Sequence, residues 1–144
     1  MAGGMLPAVL SPMRGYGLPQ FDPIYAAAEK LDVPIAVHGR AAVELGLDHM
    51  PSFAGVYPLS HPFSQMQQLT SMMIHGVFER FPRLRVAFLE AGCGWVPYLA
   101  DRLDESWEHR INRWPHPTKR CPSEIMRGVI CTTPVKGRKE LWRR

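Results

Sequence analysis

Two ionisable residues in this sequence stand where an α/β protein keeps its chemistry. His38 closes the apolar run VPIAV (33–37) and Glu90 closes LRVAFL (84–89), and each is followed by a glycine within two residues. In parallel α/β architectures the working side chains sit at the C-terminal ends of strands, where the βα loops begin. A neutral imidazole at such a place is a standard ligand for Zn²⁺ or a similar ion, and it can also act as a general base. Position alone weighs that reading evenly against a half-buried histidine that donates to a carbonyl. A carboxylate there can bind metal, orient a water or hold a proton. Its structural alternative, an ion pair with an arginine, weighs somewhat more.

The remaining candidates are weaker. Cys93 lies between Gly92 and Gly94; a thiol nucleophile there would want a histidine such as His38, and a buried packing thiol is the favoured reading. His61 and His75 are fourteen residues apart on one helical pattern, nearly four turns, so they cannot share a site. His61 is expected to reach the strand ends from a loop, and His75 to end the helix. His49, His109 and His116 fall in no pattern. Arg40, two residues past His38, suits an anionic substrate and equally a solvated loop charge. The sequence has no H-x-H, H-E-x-x-H, G-x-G-x-x-G, P-loop or G-x-S-x-G motif. One histidine and one glutamate fall short of the three protein ligands of a usual catalytic metal site.

The elements that must carry these residues alternate. Residues 5–10 read as a short strand in which Pro7 suits only an edge, and 11–20 as a loop. Asp22 as N-cap and Pro23 at the first helical position open a helix, with Ile24, Ala27, Ala28 and Leu31 as its apolar face. VPIAV then reads as a strand covered on both faces. Residues 40–60, broken by Pro51, Gly55 and Pro58, read as a long loop with room for one helical turn. A long helix is expected from His61-Pro62, with Phe63, Met66, Leu69, Met73 and Val77 as its stripe. LRVAFL is the next strand, followed by a helical stripe of Val96, Leu99, Leu103, Trp107 and Ile111. A linker over 114–122, a short helix and a strand at 129–133 close the pattern. Strand and helix in alternation predict βαβ units and a parallel sheet. Four such strands are half of a (β/α)₈ barrel, or else a small open sheet.

Composition excludes several classes. The chain has 144 residues, 46% hydrophobic and 21% charged, which fits one globular domain rather than a disordered chain. The net charge of +4 sits in the tail: residues 136–144 hold five cations and one anion, leaving 12 of each over 1–135. With a neutral body and no basic face, nucleic-acid binding is not expected. No apolar run approaches the roughly 18 residues of a membrane span. The first residues lack the basic segment of a signal peptide. Three cysteines without a C-x-x-C pair suit a reducing, cytoplasmic location. The domain is expected over 1–135, with a basic tail at 136–144.

The segments IYAAAEKLDVPIAVHG and MMIHGVFERFPRLRVAFLEAGCGWVPYLADRLDE resemble the amidohydrolase-related (amidohydrolase 2) family, which contains aminocarboxymuconate-semialdehyde decarboxylase and related decarboxylases and hydrolases. The resemblance runs over about 5–127. It implies a (β/α)₈ barrel with one divalent metal, usually zinc, held by an H-x-H pair on the first strand, a histidine ending the fifth and an aspartate ending the eighth. His38 matches the fifth-strand metal ligand. Glu90 stands where many members carry a sixth-strand histidine that helps activate the metal-bound water or the substrate, and it is the candidate catalytic residue. The chain would then span roughly strands 4 to 7, about four βα units, without the H-x-H pair or the aspartate. The implied function is a metal-dependent hydrolase or carboxy-lyase acting on a small, carboxylate-bearing molecule. The alternative is an inactive fragment that folds or works only with a partner chain, a second copy among the candidates.

Overall fold

The structure, a computed structural model, describes residues 3–10, 14–40 and 45–132, and of 129–132 the backbone alone. The basic tail at 136–144 lies outside the described residues. Four short strands, β1 (Gly4–Pro7), β2 (Ile35–His38), β3 (Val86–Leu89) and β4 (Ile130–Thr132), form one sheet in the order β1-β2-β3-β4. Every neighbouring pair is parallel. The helices are α1 (Asp22–Leu31), α2 (Phe53–Ile74), α3 (Val77–Arg80), α4 (Trp95–Arg110) and α5 (Pro122–Val129), and single 3₁₀ turns cover Pro19–Phe21 and Ile111–Arg113. Strands and helices therefore alternate as the sequence predicts. β1 is an edge strand, so the missing N–H of Pro7 is tolerated.

The two faces of the sheet differ. Ile35, Val37, Val86 and Phe88 are buried against Tyr25 and Ala28 of α1, Leu69, Met72 and Met73 of α2, Leu99 and Leu103 of α4, and Ile125 and Met126 of α5. On the opposite face Ala36, His38, Ala87 and Leu89 are only half buried, and Met5 is 69% exposed. The expected strand covered on both faces is thus covered on one. In a closed barrel the other face is the interior, filled by side chains from all the strands.

Three expectations about the helices are corrected. The segment expected as a loop up to residue 60 contains the first two turns of α2, which starts at Phe53 and holds both Pro58 and Pro62. Neither proline can donate to the carbonyl four residues back, and packing of the later turns carries the helix through that loss. Its buried side is only partly the expected stripe: Leu69, Met73 and Val77 (in α3) are buried and Met66 is half buried, but Phe63 is exposed, and Ser60, His61, Ser64, Gln65, Gln68 and Met72 are buried instead. α1 starts at Asp22 itself, with Phe21 as N-cap, and buries Tyr25 and Ala28 while Ile24 and Leu31 stay exposed. Tyr25 wins because its ring enters the core edge-on to Phe81 and its hydroxyl donates to Tyr16 O at 2.6 Å.

Short polar ties join the layers. Arg80 donates twice to the Asp22 carboxylate, linking α3 to the start of α1. Ser123 N donates to Asp104 Oδ1 at 2.8 Å, linking α4 to α5. Burial alone would raise the Asp104 carboxyl, but hydrogen bonds from Cys121 and Ser123 hold it below its ordinary value. Burial, then the bond to Asp104, pushes the Cys121 thiol up.

Candidate functional site

The C-terminal edge of the sheet gathers the candidate residues. His38 is the last residue of β2 and pairs in register with Leu89, the last of β3, so the residue after Leu89 leaves the sheet beside it. That residue is Glu90, and its backbone is left-handed, with φ 62°. This conformation turns the chain sharply at the strand end, and Glu90 Oε2 lies 3.4 Å from His38 Nε2. Both side chains are accessible, 38% for His38 and 66% for Glu90. The two residues singled out by position in the sequence are therefore brought together by the parallel register and one turn.

Left-handed backbone strains a residue with a Cβ by about 1–2 kcal/mol, part of which glycine recovers. Glu90→Gly is therefore expected to leave stability unchanged or to raise it by up to about 1 kcal/mol in urea titrations, while deleting the carboxylate. A clear loss of stability would mean that Glu90 is held for structural reasons.

On the His38 side of the pair, Met5, Leu6, Pro7, His38, Gly39 and Arg40 line an open depression of about 250 Å³. Arg40 is exposed at its rim. Gly39 is required by close approach: a Cβ there would lie 2.9 Å from the His61 ring and 3.1 Å from its Cα. His61 thus reaches the strand ends, but from within α2 and buried, not from a loop, and its ring packs on Tyr57. His75 ends α2, as expected. Cys93 is buried just before α4, and His49, His109 and His116 are exposed.

Sequence reasoning missed two glutamines. Gln65 Nε2 donates to Leu89 O at 2.5 Å and to Val37 O at 3.3 Å, spanning the ends of β2 and β3. Gln68 Nε2 donates to Ala8 O and Arg14 O, and its Oε1 accepts from Tyr16 N, which ties down the loop after β1. A signal existed: Gln65, Gln68, Leu69 and Met72 follow the i, i+3, i+4, i+7 spacing of one helix face. Amides on an apolar phase indicate buried hydrogen-bonding work.

The donor types of the pair suit a divalent cation, since imidazole nitrogen and carboxylate oxygen are both ordinary ligands. Their number does not complete a site. Among the described residues no group of three or more His, Cys, Asp or Glu side chains could hold a metal ion. Further ligands would have to come from elsewhere.

The alternating parallel sheet, with its donors at the C-terminal ends of β2 and β3, agrees with a family-wide sequence comparison: residues 4–127 match the amidohydrolase family. The chain belongs to that family. It is 30% identical over 92 residues to a 2-amino-3-carboxymuconate-6-semialdehyde decarboxylase of Dictyostelium discoideum, covering 64% of this chain and 25% of the relative. It is 31% identical over 112 residues to a gamma-resorcylate decarboxylase of Rhizobium sp. (strain MTP-10005), covering 69% and 32%. The chain thus spans about a quarter to a third of the length of these relatives. Among solved structures it is similar to a 2,6-dihydroxybenzoate decarboxylase from Rhizobium, with a TM-score of 0.62 and 27% identity over 83% of this chain and 38% of that one. It also shares its fold with a dihydroxybenzoic acid decarboxylase from Polaromonas sp. JS666 solved with bound manganese, with a TM-score of 0.61 and 22% identity over 85% and 37%. The fold of this amidohydrolase-family chain is therefore that of a TIM-barrel segment. Among the described residues no helix is long and apolar enough to cross a membrane.

Proposed function

We propose that this amidohydrolase-family chain is part of a metal-dependent carboxy-lyase or hydrolase acting on a small carboxylate-bearing molecule, with His38 as one metal ligand and Glu90 as the proton-transfer group. On this reading β1 to β4 are strands four to seven of an eight-stranded barrel, about four βα units. The observation that carries it is the 3.4 Å approach of His38 to Glu90 at adjacent strand ends, in a chain whose curated relatives are decarboxylases.

A bound divalent ion would supply Lewis acidity, polarising a carboxylate or carbonyl oxygen, or would lower the pKa of a water. The chain's own residues do the rest. His38 Nε2 offers a lone pair to the ion and lies 3.4 Å from Glu90 Oε2. Glu90, whose side chain is accessible, can donate the proton that replaces CO2 on a substrate carbon and be reprotonated from solvent, or can take a proton from an attacking water and pass it to the leaving group. Arg40, exposed at the rim of the depression, favours anionic molecules there. The neutral body and the absence of a basic face support a small molecule rather than nucleic acid as substrate. Zinc is the first choice of metal from the family resemblance, and manganese the alternative from the Polaromonas structure.

Metal content decides the matter. About one zinc or manganese per purified chain, lost in His38→Ala, would support the reading and would require ligands beyond the described pair, supplied within the chain or by a second copy. Metal in neither protein would sink it for this chain, and would favour the reading of a catalytically inactive piece of the family. Retention of metal in His38→Ala would remove His38 from the ligand set.

A further inference from the structure

Gln65 is fully buried in α2, yet it carries a polar amide where leucine or methionine would pack without unmet hydrogen bonds. Its two N–H groups go to two carbonyls, Val37 O and Leu89 O. These are the carbonyls immediately before His38 and Glu90. We propose that Gln65 is a positioning residue that sets the separation of the His38 imidazole and the Glu90 carboxylate by holding together the two peptides that precede them. The inference rests on the reading of His38 and Glu90 as the working pair.

The sheet cannot do this alone. The β2–β3 ladder ends at the pair His38 and Leu89, so Glu90 has already left it. On the far side Gly39 follows His38 directly, and Gly92, with φ 65°, follows Glu90 after Ala91. A small rotation of the peptide preceding either residue would swing its side chain away from its partner. One amide donating to both peptides couples their orientations. The amide cannot turn over, because Oε1 would then face two carbonyl oxygens. Among the described residues Oε1 finds no partner in the orientation it adopts, so the bridge is kept despite an unpaired buried oxygen. A residue serving packing alone would have no reason to keep that cost.

The test reads the pair directly by NMR, without metal or substrate. In the labelled chain the nuclear Overhauser cross-peak between the His38 ring and the Glu90 γ-methylene is compared with that in Gln65→Met, which keeps length and bulk but cannot donate. The inference expects this peak to fall severalfold while the chain stays folded. Ile125→Val, a buried core change elsewhere, lowers stability without moving the peak. If Gln65→Met does not fold, Gln65→Glu is read in the same way, because its carboxylate also lacks the N–H donors. An unchanged peak in the folded variant, an absent peak in the unaltered chain, or loss of folding in both variants would overturn the inference. The outcome is separable from that of the metal reading. A chain that takes up no metal but shows the Gln65-dependent peak refutes the proposed function and leaves the clamp standing.

Discussion

Gly17→Ala is expected to cost this chain about 3 kcal/mol, a large fraction of the roughly 5–15 kcal/mol that holds an ordinary domain together. A Cβ at position 17 would lie 2.0 Å from the Ser71 carbonyl oxygen and 2.6 Å from His75 Nδ1. The first of these atoms is helix backbone, which cannot step aside as a flexible side chain does. The loop after β1 would have to lift off α2. It would take with it the bonds Gly17 N to Ser71 Oγ and Tyr16 N to Gln68 Oε1, and the seat of the buried Tyr16 ring. Gly94→Ala is the control, because nothing lies within 4 Å of its Cβ position and its backbone φ of −63° suits alanine. Urea unfolding of both variants checks the result. A Gly17→Ala midpoint close to that of the unaltered chain would mean that this loop does not lie on α2 as described.

The sensitivity of that loop follows from how the strand ends are held. Tyr16 Oη donates to Pro7 O and Ala8 N donates to His38 O, so the end of β1, the loop and the residue carrying the imidazole are tied in series. Gln68 holds one side of this assembly and Gln65 the other. The polar stripe of α2 is therefore the common support of three strand ends. Changes on it should reach His38 and Glu90 without touching either.

The sheet was legible because its strands carry a local signal. VPIAV and LRVAFL are short apolar runs followed by an ionisable residue and, within two residues more, a glycine, and their order with the helices dictates parallel pairing. The places of His38 and Glu90 at strand C-termini were legible for the same reason; their approach to each other was not, since the structural partner expected for Glu90 was an arginine. α2 was not. Pro58 and Pro62 are the strongest breaker signals in the chain, and they were outvoted by packing of the turns that follow. Its polar phase misled as well, since Gln65 and Gln68 look like solvent-facing residues until the carbonyls of the strand ends are placed against them. In α1 the error was one of phase: Tyr25 hides a hydroxyl that only the tertiary partner Tyr16 O can satisfy. The uncovered sheet face was not legible from the strands, because residues such as Ala36 and Ala87 are equally apolar whether or not anything covers them.

Alkaline solution should unfold the chain more steeply than a typical domain, through two tyrosines. Burial pushes the Tyr16 hydroxyl up to about 12. Tyr25 is raised further, first by burial and then by the charges of Tyr16 and Asp22, against a smaller lowering by Arg80. Both rings are essentially inaccessible, at 1% and 0% exposure, and each hydroxyl donates to a carbonyl, Pro7 O and Tyr16 O respectively, a bond that only the protonated form can make. In the unfolded chain both titrate near their ordinary value of about 10. Above that pH the unfolded state has released protons that the folded state still holds, so stability falls as pH rises. The contribution is intact below about pH 10 and is lost on the way up to about 12, at about 1.4 kcal/mol per pH unit for each tyrosine. Two tyrosines over that window remove about 5 kcal/mol, comparable to a whole marginal stability. Urea midpoints between pH 8 and 11.5, followed together with tyrosinate absorbance, check this: ionisation of these two rings should coincide with unfolding. The double variant Tyr16→Phe/Tyr25→Phe should start less stable at neutral pH, having lost two hydrogen bonds, and should show a much flatter alkaline limb. Free ionisation of both tyrosines near pH 10 with the fold intact would contradict their burial. It would also remove the support they give to the loop that carries β1 toward the His38 end of the sheet.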